Sequence, residues 1–143
     1  MFNPSREDVR RFFCETWRKY RAQVPLEGLE MTALDVVLLH TEYHALLENE
    51  YRNIDRDFPP EGGEINPFLH LSLHLAVAEQ VSIDQPRGIR SLHERIVGHA
   101  RSRHEALHLI LECLGEAVWQ AQRNQAEPDL EAYLDCIRGK LRS

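Results

Sequence analysis

No run of apolar residues in this sequence of 143 residues reaches the roughly eighteen needed to cross a bilayer. The first residues, Met1-Phe2-Asn3-Pro4-Ser5-Arg6-Glu7, lack the apolar stretch of a signal peptide. The chain is therefore expected in the cytoplasm, with no membrane partner. Cysteine is scarce. Cys14, Cys113 and Cys136 are odd in number and have no Cys-x-x-Cys spacing; each falls in an apolar helical pattern, so three buried thiols are expected. Neither a two-residue hairpin signal nor an alternating apolar run occurs, which argues against a sheet-based fold. There is also no glycine-rich dinucleotide loop, no Gly-Lys-Ser or Gly-Lys-Thr phosphate loop and no Gly-x-Ser-x-Gly elbow. Those enzyme classes drop out, and an enzymatic role stays open.

Basic charge is in short supply as well. The net charge is −6, whereas phosphate binding wants a basic face, so nucleic acid is not an expected partner. The imbalance is local: residues 1–23 hold six basic and three acidic side chains, residues 27–64 two basic and ten acidic. A surface polarised in this way is either a solvated face or one that orients a protein partner, a second copy of the chain included.

What is present is helical periodicity. The length suits one domain with its own packed core, so residues 1–143 are read as a single all-α domain, a bundle of five to six helices. Val9, Phe12, Phe13, Trp17 and Tyr20 recur at helical spacing within Ser5–Gln23, with Ser5 and Asp8 in capping-box register. Thr32 and Asp35 repeat that spacing ahead of Leu34, Val37 and Leu38, while Thr41 either caps a further helix or lies inside one. The segment Phe58–Glu64, with two prolines and two glycines, reads as the loop joining the two halves of the chain. Asn66-Pro67 then opens a helix to about Ile83 that is apolar nearly all round, as befits a central helix. Pro86 opens another ending near Gly98; Ser102 and Glu105 form a capping box for a long helix to about Gln122; Pro128 starts the last, weakened near Gly139. The aromatic residues Phe12, Phe13, Trp17, Tyr43 and Trp119 follow these faces, and core packing accounts for them.

Eight histidines remain, and their spacing is unusual. His40/His44, His70/His74 and His104/His108 are three pairs four residues apart, where random placement gives roughly 0.4. On a continuous helix that spacing puts both imidazoles on one face, within reach of one metal ion. His70 and His74 fall in the most apolar helix, where burying an unsatisfied imidazole is costly. His104, His108 and Glu112 continue one stripe of the long helix, and Glu105-x-x-His108 has the spacing of carboxylate-bridged metal pairs in bundles. The candidate ligands are His70, His74, His108 and Glu112, with His44, His104 and Glu105 ranked behind them. Imidazole with carboxylate suits zinc, iron or manganese. The alternative is a cluster of imidazoles and carboxylates that satisfies itself, in a non-enzymatic interaction or structural module.

Several blocks carry a resemblance to a known family: Met1–Arg6 leading to Arg11-Phe12-Phe13, Glu42-Tyr43-His44, and Asn66-Pro67-Phe68-Leu69-His70-Leu71-Ser72-Leu73-His74-Leu75. Ser82-Ile83-Asp84-Gln85-Pro86 and Glu112-Cys113-Leu114-Gly115-Glu116 extend it over nearly the whole chain. The sequence closely resembles a bacterial family known as domain of unknown function 1841, which implies a compact bacterial protein and supplies no activity or ligand. At fold level it also looks like hemerythrin-like metal-binding bundles, with His70-x-x-x-His74 and His108-x-x-x-Glu112 similar to two of their ligand pieces. The third piece, a histidine followed at the fifth position by aspartate, is missing, which speaks against an oxygen-carrying di-iron site.

Overall fold

The computed structural model describes residues 6–49 and 66–142, so Ser5 and the expected Phe58–Glu64 loop lie outside the described residues. Among those described there are seven α-helices and no strand, which upholds the all-α class and exceeds the expected five to six helices. In chain order they are α1 (Arg6–Arg21), α2 (Leu29–Leu38), α3 (His44–Leu47), α4 (Pro67–Ile83), α5 (Ile89–His99), α6 (Arg103–Arg123) and α7 (Leu130–Arg142).

The excess arises around His40. Helix α2 starts at Leu29, ahead of the expected Thr32, because Gly28 takes φ 53° and turns the chain into the helix there. It stops at Leu38, and His40 at φ −120°, ψ 66° leaves helical geometry before a 3₁₀ turn over Thr41–Tyr43. Leu39 N–H and His40 N–H close tight turns onto the carbonyls of Val36 and Val37, at 3.2 and 3.0 Å. His40 and His44 therefore belong to different elements.

Chain contacts divide the molecule into two compact units, Met1–Leu75 and Ala76–Ser143, with the boundary inside α4. In the first unit, α1 packs on α2 and α3. Its core takes Phe13 and Trp17 from α1, Ala33, Val36 and Val37 from α2, Leu47 from α3, and Phe68, Leu71 and Leu75 from α4. Burying each large apolar side chain contributes roughly 1.5–3 kcal/mol. The start of α4 is fixed as expected: Asn66 Oδ1 accepts from Phe68 N–H at 3.0 Å and Leu69 N–H at 3.2 Å.

In the second unit α5, α6 and α7 pack pairwise. The buried side chains include Ile89, Leu92 and Ile96, then Ala106 and Ile110, then Tyr133, Leu134 and Ile137. The block Ser82–Pro86 is a helix junction. Asp84 Oδ1 accepts from the N–H groups of Gly88 and Arg90, while the Arg90 guanidinium donates to the Val81 and Ser82 carbonyls that end α4. Ser102 caps α6 by accepting from Glu105 N–H at 3.0 Å, again as expected. Asp129 Oδ1, accepting from Ala132 N–H at 3.0 Å, starts α7, which runs past Gly139 to Arg142.

Two expectations need correction. Cys113 and Cys136 are joined in a disulfide, because packing α6 against α7 brings their Cα atoms to 5.7 Å, a proximity that a separation of 23 residues does not disclose. Cys14 is buried and outside any disulfide. Trp119 is 51% exposed rather than in the core, with the Arg123 guanidinium 5.2 Å from its ring centre.

Candidate metal centre

Helix α4 presents His70 and His74 one turn apart on a common face, and their ring centres are 4.7 Å from each other. The pair expected from spacing is a pair in space. The third member of the cluster is His40, the residue at which α2 gives way to the 3₁₀ turn. Its ring lies 4.9 Å from that of His70 and 4.5 Å from that of His74. Each of the three planes is tilted by 63–79° to the others. One ring nitrogen from each of the three lies within 4.8 Å of the other two. His40 and His74 are 1% and 2% exposed, and His70 is half-buried.

The closest approach is between His40 Nε2 and His70 Nε2, at 3.1 Å. His40 Nδ1 lies 2.8 Å from the Val36 carbonyl oxygen, which can only accept, so Nδ1 carries the proton. In the neutral ring Nε2 then holds the lone pair, and His70 Nε2 is the donor between the two. A carbonyl bound to the far nitrogen of an imidazole is also the usual means by which a metal-ligating histidine is oriented and made more basic. That carbonyl belongs to the last turn of α2, at the negative end of its dipole. The Tyr43 ring stacks parallel on His40, with centres 5.6 Å apart and 4° between planes. Burial, helped by the charge of Glu42, pushes the Tyr43 phenol up from its ordinary value.

The other sequence candidates are placed differently. His44 Nε2 donates to the Val37 carbonyl at 2.9 Å, and its ring packs on Trp17 with centres 4.1 Å apart. It buttresses the end of α2. Glu112, 63% exposed in its side chain, ion-pairs with Lys140 Nζ at 2.6 Å and would have to leave that partner to serve as a ligand. Glu105 is exposed at the start of α6. His108 is half-buried on α6 in the second unit, and the His104 side chain lies outside the described residues.

His40 is not among the ligand candidates that spacing alone selects. His40 lies at a helix end and is buried. Nothing local marks it, since it lies thirty residues before His70 and off the face of the pair it seemed to make with His44. The run His104-Glu105-Ala106-Leu107-His108, on the other hand, spells His-Glu-x-x-His, a zinc-binding pattern.

Fold and site together define an all-helical protein with a three-histidine cluster, two of its members buried. The chain belongs to the family described as a domain of unknown function, DUF1841, whose model matches residues 5–139. No curated protein and no solved structure matches it.

Proposed function

We propose that this is a metal-binding helical protein whose centre is built on His40, His70 and His74. The observation that carries the reading is the convergence of three imidazoles, two of them almost fully buried, with the far nitrogen of His40 already held by a carbonyl. A zinc ion held by nitrogens at roughly 2.0–2.1 Å in a tetrahedron sets them about 3.3 Å apart. The 3.1 Å between His40 Nε2 and His70 Nε2 fits that spacing. A set of neutral imidazoles favours zinc, tolerates iron and suits manganese least, because manganese prefers oxygen donors.

His108 stays in the proposed ligand set on its sequence pattern alone. A protein group in the fourth position makes a closed, structural centre, whereas a water there makes a hydrolytic one. A second reading rests on the same 3.1 Å contact: the rings hydrogen-bond one another, and the cluster is a polar core in an interaction module.

Cobalt(II) titration of untagged protein separates them. The metal reading expects a saturable visible band at one equivalent, intense as in tetrahedral nitrogen ligation, and absent from His70→Ala and His74→Ala. A spectrum no different from that of aqueous cobalt establishes the second reading. Loss of the band in His108→Ala assigns the fourth position to the protein; its persistence leaves that position to water.

A further inference from the structure

We propose that the Cys113–Cys136 disulfide is a redox-sensitive lock on α7, opened by a dithiol reductant that attacks at Cys136. The bond ties α6 to the helix that ends the described chain, and it rests on observations independent of the histidine cluster. Its two ends differ in access. Cys113 is 1% exposed, whereas Cys136 is half-buried. Thiol–disulfide exchange requires a thiolate to reach one sulfur along the bond, so access selects Cys136 as the atom attacked and Cys113 as the leaving group. One turn beyond Cys136 stands Lys140, whose ammonium is 2.6 Å from the carboxylate of Glu112, the residue before Cys113.

The exchange balances with the reductant alone. Its first thiolate forms a bond to Cys136 Sγ while the Cys136–Cys113 bond breaks, and the electron pair leaves on Cys113 Sγ, which takes up a proton. The second thiol of the reductant, as thiolate, then attacks its own sulfur in the mixed disulfide and releases Cys136. The protein gains two electrons and two protons, and the dithiol becomes a disulfide.

What the lock controls follows from the rest of α7. The helix has thirteen residues, too few to be stable in isolation, and its non-covalent anchors are the buried Tyr133, Leu134 and Ile137. The Tyr133 hydroxyl adds a hydrogen bond to Gln80 Oε1 at 2.7 Å. The exposed Lys140–Glu112 pair contributes little. Cutting the cross-link therefore leaves α7 docked while raising the population of its opened form, on the order of 100-fold from the usual worth of such a link.

The test uses the full chain, purified without reductant and then treated under native conditions with dithiothreitol. Alkylation after denaturation, counted by mass, is expected to label one cysteine before treatment and three after it. Hydrogen exchange of the α7 amides is expected to rise about 100-fold on reduction and to be insensitive to dithiothreitol in Cys136→Ser. Three labelled cysteines in the air-exposed protein, a bond that yields only after denaturation, or α7 exchange unchanged by reduction would each overturn the proposal.

Discussion

His40 is the residue on which the centre turns, because it brings a third imidazole to a pair that α4 already presents. Its removal should therefore separate metal binding from folding. His40→Ala is expected to lower metal affinity by more than the roughly 10–100-fold typical of losing an outer-sphere partner. His44→Ala, four residues on, loses the bond to Val37 and the packing on Trp17. It should cost about 1 kcal/mol of stability and leave the metal stoichiometry unchanged. Competitive titration against a chromophoric chelator, with a denaturant melt of each variant, reads both quantities. Equal losses of affinity in the two variants would remove His40 from its special place. The contrast was not legible in the sequence, where the two residues look alike. Their roles part only because the chain leaves the helix at His40, and that break depends on how the carbonyls of Val36 and Val37 are satisfied by groups from beyond the helix end.

At the scale of elements, the sequence was most informative where local chemistry decides the outcome. Asn66-Pro67, Ser102 with Glu105, and the start near Pro128 all mark real helix ends, since a cap and its orphan amides lie within three residues of each other. Contacts between helices were opaque for the opposite reason: the meeting of Cys113 and Cys136, or the turn of Glu112 toward Lys140, depends on how α6 and α7 dock. The cap on the helix that carries His70 and His74 yields a direct test. Asn66→Ala should destabilise the protein by about 1 kcal/mol, lowering its melting temperature by about 3–4 °C. No change on melting would show that the cap seen at α4 is worth nothing.

Helix α5 carries a pH response of its own. Burial, together with the nearby charge of Arg103, pushes the His93 imidazole below its ordinary 6.5. The unfolded chain then binds the proton that the folded chain refuses, so stability is intact above the unfolded value and is lost as the pH falls toward the folded one. The melting temperature of the native protein should accordingly fall more between about pH 7 and pH 5.5 than that of His93→Gln. Parallel curves would mean that His93 is as easily protonated folded as unfolded.

For the whole molecule, the all-α class and six of the seven described helices could be read from periodicity, while the separate α3 was one of two readings left open at Thr41 and the membership of the histidine cluster was not legible. The excess of spaced pairs pointed to imidazole chemistry, yet of the three pairs only His70/His74 is shown to converge as such. The described helices include none long and apolar enough to cross a membrane. The family match extends over residues 5–139, so a metal centre established in this chain would be a chemical property to examine member by member in the family.

The decisive measurement is metal content per chain in protein purified without a histidine tag, followed by melting with and without chelator. A ligand that binds only the folded state stabilises it by about 2.7 kcal/mol at a hundred times its dissociation constant, so a resident ion leaves a clear mark. One equivalent of zinc or iron per chain is expected, with a melting temperature that drops on chelation and recovers when the metal is returned. Protein that carries no metal as isolated, takes up neither zinc nor iron, and melts identically with and without chelator would contradict the metal reading.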